Sequence, residues 1–140
     1  MRIRNLTTVA ALLTSAIATI PAAPAQAAAG RTTELTVVYR ADTSARAQTM
    51  HLHCNPDGGD QPRVAEACDD LAVLDADRRD PFAPPSDDQI CAVEYDGPQT
   101  AVVSGRWGTE PVHASFARTN QCETSRWNSI EAVLDPDPHR

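Results

Sequence analysis

Four cysteines carry the most decisive chemistry in this sequence: Cys54, Cys68, Cys91 and Cys122. Thiols can crosslink, bind metal or attack a substrate. The gaps here are thirteen, twenty-two and thirty residues, and none is the two-to-four-residue gap of a zinc knuckle. An even count in an exported chain reads as two disulfides. Four cysteines allow three pairings. The local one, Cys54–Cys68 with Cys91–Cys122, is favoured, and the other two stay open. His51 and His53 stand beside Cys54 and could add metal ligands. They alternate with Leu52, however, as exposed residues of a half-buried strand do, so no metal is expected.

A hydrolase would need a nucleophile and a base. Ser86, Ser104, Ser115, Ser125, Ser129 and His113 are present, but none sits in a nucleophile elbow or another known setting. The adjacent acids Asp69-Asp70 and Asp87-Asp88 read as solvated charge. No Gly-rich phosphate loop is present, so no cofactor is expected. Nothing here makes an active site, and the chain is not expected to be an enzyme. A small crosslinked domain without one points to binding.

The 140 residues carry a formal charge of −7, and all twelve basic residues are Arg. An acidic chain without clustered positive charge is a poor partner for nucleic acid. The first segment is an address. Arg2 and Arg4 precede an apolar or small run, Leu6 to Ile20, which Pro21 breaks; Ala25-Gln26-Ala27 then offers the small residues a signal peptidase requires. That run of fifteen residues falls short of the roughly twenty a spanning helix needs. Residues 1–27 therefore read as a signal peptide, cut after Ala27 or at Ala28 or Ala29. Residues 28–140 read as a single secreted, extracellular domain with no membrane partner. Ten Arg against nineteen acids leave its 113 residues at −9. A domain of that length buries only about two-thirds of its unfolded surface, and two disulfides would add several kcal/mol.

Positioning falls to short strands and a helix. Glu34 to Arg40 is rich in β-formers. Thr49 to Cys54 puts Met50, Leu52 and Cys54 on one face. Asn55 to Asp60 is a turn cluster. After Pro62, the residues Val64, Ala67, Cys68, Leu71 and Leu74 recur at the helical period, in a helix that fades before Pro81. Asp80 to Gln89 is a stiff proline-rich loop. Ile90 to Asp96 carries Cys91, Val93 and Tyr95 in alternation. Thr100 to Ser104 is a strand ending at a turn-like Gly105, and Val112 to Ala117 pairs back in a hairpin around Gly108 to Pro111. Trp127 to Leu134 holds a few apolar residues before a polar tail. Short connections make neighbouring strands antiparallel. The fold class is α+β, an antiparallel sheet of four or five strands with a helix on one face. Within it, Ile90 to Asp96 comes after the stiff loop and is tied at Cys91. Either Val93 projects outward from a crosslinked binding loop, or the segment is a core strand with Val93 buried.

Three stretches resemble the Streptomyces subtilisin inhibitor family, across roughly Leu35 to Ile130. They are Leu52-His53-Cys54-Asn55-Pro56 through Ala67-Cys68-Asp69-Asp70-Leu71; Cys91-Ala92-Val93-Glu94-Tyr95-Asp96; and Gly105-Arg106-Trp107 with Phe116 and Asn120-Gln121-Cys122-Glu123. The resemblance implies a five-stranded antiparallel sheet with two helices packed on one face, often as a homodimer. It also implies the first-to-second and third-to-fourth cysteine pairing. The implied activity is tight, reversible inhibition of subtilisin-like serine proteases. Carried over residue by residue, the scissile bond is Val93–Glu94, and Val93 fills the main specificity pocket. Ile90, Cys91 and Ala92 line the enzyme's edge as an added strand. Glu94, Tyr95 and Asp96 occupy the leaving side. Asn120, two before Cys122, supports the loop through its side-chain amide.

The sequence departs from the family at the site itself. Ala92 stands where the family usually has Pro. Val93 is β-branched and smaller than the residues subtilisins prefer, suiting an elastase-like pocket. Glu94 sets an acid beside the bond, and the turn at Gly97-Pro98 is one residue longer. Two other readings remain. An inhibitor-fold binding protein that has lost inhibition would bury Val93 or slacken the loop. A secreted enzyme would need His113 beside a serine and an acid in a cleft.

Overall fold

A computed structural model describes residues 30–137. The segment read as a signal peptide, and its cleavage site, lie outside the described residues. The elements run β1 (Thr33–Arg40), β2 (Gln48–Cys54), β3 (Gly58–Gly59), α1 (Val64–Ala76), β4 (Thr100–Trp107), β5 (Glu110–Ala117), α2 (Gln121–Ser129) and α3 (Glu131–Leu134).

Alternation decides the faces of the strands. On β1, Leu35, Val37 and Tyr39 point inward; on β2, Met50, Leu52 and Cys54 do. The five strands form one antiparallel sheet in the order β3-β2-β1-β4-β5. Helices cover its apolar face, and the core gathers between them. The sheet's other face is open and carries His51 and His53, both exposed. Among the described residues no helix is long and apolar enough to cross a membrane.

Helix α1 buries Ala67, Cys68, Leu71 and Leu74. The Cys54–Cys68 disulfide, with Cα atoms 5.6 Å apart, ties it to the end of β2. The helical stripe thus faces the sheet as its period requires.

The structure corrects three local readings. The fifth strand is Gly58–Gly59, inside the turn cluster, paired with Leu52 and His53; Ile90 to Asp96 is not a strand. Gly105 is no turn, because β4 runs through it to Trp107. A Cβ there would come within 2.1 Å of the Glu34 carbonyl oxygen, so the glycine permits close strand approach. Helices also form where the sequence shows only scattered apolar residues. Helix α2 buries Trp127 alone, too little to produce a visible period. The one-turn α3 buries Ala132, Val133 and Leu134, so it is apolar without an amphipathic pattern.

Buried Gln61 holds α3 in place. Its Nε2 donates to the carbonyls of Ala132 at 2.5 Å and Val133 at 3.2 Å, and its Oε1 accepts from the Arg63 amide. Replacing Gln61→Ala strands these groups in the core, where each unsatisfied partner costs about 1–3 kcal/mol. Urea unfolding should register a loss of about 2 kcal/mol. An unchanged midpoint would mean that water replaces the amide.

Candidate functional site

Between the end of α1 at Ala76 and the start of β4 at Thr100 the chain forms no helix or strand. Connections this long inside a small domain are commonly functional. The first part is anchored. Pro81 and Phe82 are buried, and the Phe82 ring meets Trp107 edge-on with centroids 5.6 Å apart. The Phe82 carbonyl accepts from Arg126 Nη2 at 3.3 Å. Arg126 also pairs with Glu123 at 2.8 Å and lies 4.1 Å above the Phe116 ring. One side chain therefore joins the loop base, α2 and β5.

Beyond Pro84 and Pro85 the chain emerges into solvent. Ile90 and Val93 are each 97% exposed and Tyr95 is 66% exposed. Large apolar side chains this open are not core residues. The core-strand reading of this segment is therefore replaced by that of an exposed loop.

Exposure does not leave the segment loose. Cys91 is bonded to Cys122, with Cα atoms 5.4 Å apart. The Gln121 amide donates to the Ala92 carbonyl at 3.0 Å, and the Asp96 amide donates to the Arg118 carbonyl at 2.8 Å. The Arg118 guanidinium pairs with the Asp96 carboxylate. Anchors at 91, 92 and 96 bracket the Val93–Glu94 peptide. Val93, Glu94 and Tyr95 make no hydrogen bond among the described residues.

Asn120 begins the element behind the loop. Its side-chain oxygen accepts from the Glu123 amide at 3.0 Å and caps α2, as helix starts require. Its side-chain amide makes no bond to loop backbone among the described residues; the contact comes from its neighbour Gln121. Asn120 thus bears on the loop by starting the helix that presents Gln121 and Cys122. Sequence reasoning missed Arg118, Gln121 and Arg126. These are ordinary polar residues in sequence, and only the tertiary fold brings them to the loop.

The other chemistry-bearing residues are scattered. His113 is exposed on β5 opposite Ser104 of β4, on the open sheet face rather than in a cleft. His51 Nδ1 lies 3.3 Å from Asp60. The His51 backbone amide donates to that carboxylate and holds its pKa below the usual range. Cys54, Asp57 and Cys68 form the one cluster of metal-type ligands among the described residues, but their two sulfurs are bonded to each other.

The chain is thus a two-disulfide α+β domain with a crosslinked apolar segment exposed to solvent. The chain belongs to the Subtilisin inhibitor-like family, which it matches over residues 29–120. A Streptomyces avermitilis protein named as a candidate serine protease inhibitor is 37% identical over 114 residues, covering 79% of this chain and 75% of that protein. Sermetstatin of Streptomyces caespitosus, solved in complex with Bacillus licheniformis subtilisin, aligns over 76% of this chain and 96% of its own. Its identity is 20% and its TM-score 0.37. Family and relative set the chain among protease inhibitors, a non-enzymatic class.

Proposed function

We propose that this protein is a secreted, reversible inhibitor of subtilisin-like serine proteases, acting through a substrate-like loop with its reactive bond at Val93–Glu94. The observation that carries the reading is Val93, 97% exposed between anchors on either side. The segment enters a protease cleft as a substrate does, with Val93 in the main specificity pocket. Ile90 to Ala92 pair with the enzyme's edge as an added strand, and Glu94 to Asp96 lie on the leaving side. Because the loop is already anchored on both sides, binding loses little ordering entropy. Contacts of about 1,600 Å² can then be very tight. Val93 is apolar, as the pockets of both subtilisin-like and elastase-like enzymes require, and its small size fits the elastase-like pocket better.

Titration of the purified mature protein against subtilisin and an elastase-like protease tests this. One protein should silence one enzyme. Long incubation should cut the inhibitor between residues 93 and 94, as read by mass spectrometry. An absence of inhibition of both enzymes at about 10 μM would sink the proposal.

A further expectation concerns Ala92. Its amide makes no hydrogen bond among the described residues, and only its carbonyl is used. Proline at this position therefore sacrifices no bond and stiffens the approach to the reactive peptide. Ala92→Pro should tighten inhibition about two- to fivefold. Weaker inhibition would show that the backbone there lies away from proline's fixed φ.

A further inference from the structure

We propose that Arg118 is a positioning residue that clamps Asp96 and so holds the leaving side of the Val93–Glu94 bond in place after it is cut. The inference rests on the reactive-bond reading above. Asp96 is gripped twice by one residue: its amide donates to the Arg118 carbonyl at 2.8 Å, and its carboxylate accepts from Arg118 Nη2. Arg118 is itself held. Its guanidinium lies 5.9 Å from the centroid of the Trp127 ring, within cation–π range, and Trp127 is fully buried. A line of contacts thus runs from the core to the leaving side.

The two sides of the bond are tethered unequally. Toward Ala92 the chain is held by the Cys91–Cys122 disulfide and the Gln121 amide. Toward Glu94 the Asp96 clamp is the first tether, and the next is the Thr100–Ala117 pair where β4 begins. With the clamp in place, only residues 94 and 95 are loose after cleavage. Without it, residues 94–99 are.

That difference governs the balance between cleavage and religation. The protease serine oxygen bonds to the Val93 carbonyl carbon as its proton passes to the enzyme's base, the bond to the Glu94 nitrogen breaks, and the departing amine takes that proton. Water then displaces the serine oxygen to leave the Val93 carboxylate of the cleaved inhibitor. In reverse, the amine attacks the acyl carbon, the peptide re-forms and the serine hydroxyl is released with its proton restored. The reverse step depends on how concentrated the amine remains near the acyl carbon. A shorter free segment keeps it closer.

The test uses Asp96→Asn, Arg118→Gln and the double variant. Each single change should raise the inhibition constant about tenfold. It should shift the equilibrium ratio of cleaved to intact inhibitor toward cleaved by a similar factor. The double variant should be no worse than either single one, because the pair acts as a unit. Hydrogen exchange at the Asp96 amide, read in the free protein, should quicken in both single variants. An unchanged cleaved-to-intact ratio, additive effects, or unchanged exchange overturns the clamp. The constants are read on whichever of subtilisin and the elastase-like protease the unaltered protein inhibits; if it inhibits neither, the reactive-bond reading falls and the religation role with it. Inhibition by the unaltered protein that all three variants match overturns the clamp alone.

Discussion

A Val93→Lys variant inhibits trypsin about a thousandfold more strongly than the unaltered protein does. Trypsin's specificity pocket ends in a carboxylate. A valine leaves that charge buried and unpaired, whereas a lysine pairs with it. Breaking or leaving unpaired a buried charge costs about 3–5 kcal/mol, and each 1.4 kcal/mol is about tenfold. Against an enzyme with an apolar pocket the sign reverses, since the ammonium finds no partner there. The substitution should not disturb folding, because Val93 is 97% exposed and no side chain packs on it in the core. Inhibition constants against trypsin and subtilisin, with thermal unfolding as a control, check this. If neither constant moves, the reactive bond lies elsewhere.

A Cys91→Ser, Cys122→Ser double variant keeps the fold and loses inhibition about a thousandfold, becoming a substrate that is cut and released. The bridge closes a span of 31 residues, for which chain entropy gives about 3–4 kcal/mol of stability. Its removal leaves the loop with two backbone hydrogen bonds and one ion pair. Ordering even three freed residues costs about 1–2 kcal/mol each, and that cost falls on binding. The core does not depend on this bridge, since α1 is fastened by Cys54–Cys68 and α2 and α3 are buried through Trp127 and Leu134. The matching Cys54→Ser, Cys68→Ser variant separates the two roles. It should lower stability by about 3 kcal/mol while leaving inhibition near its original strength below the unfolding temperature. Equal loss of inhibition in both pairs would mean that the loop is not held locally.

Much of this protein is legible without any coordinates. Leu35, Val37, Tyr39, Met50, Leu52 and Cys54 alternate, and the sheet buries them as their period demands. Ala67, Cys68, Leu71 and Leu74 recur at helical spacing and form the buried stripe of α1. Helices α2 and α3 are not legible from residue pattern. Trp127 is the only buried side chain of α2, and the one-turn α3 buries three consecutive residues, Ala132 to Leu134, so neither produces an amphipathic signal. Gly105 misleads for a related reason. Its absent side chain reads locally as a turn, whereas its use is the close approach of β4 to Glu34.

The candidate site divides along the same line. Composition and local pattern alone determined a small acidic domain with four cysteines, a stiff proline-rich connection and an apolar stretch around Val93. These depend on residue type and near neighbours, which one sequence displays. Whether Val93 faced solvent or the core was decided only when the chain folded, because an alternating segment satisfies both. The supports are equally nonlocal. Arg118 grips Asp96 from 22 positions away, and Cys122 holds Cys91 from 31. Polar residues so far apart carry no mark of their partners. Only the packing of β5 and α2 beside the loop brings their donors and acceptors within bonding distance.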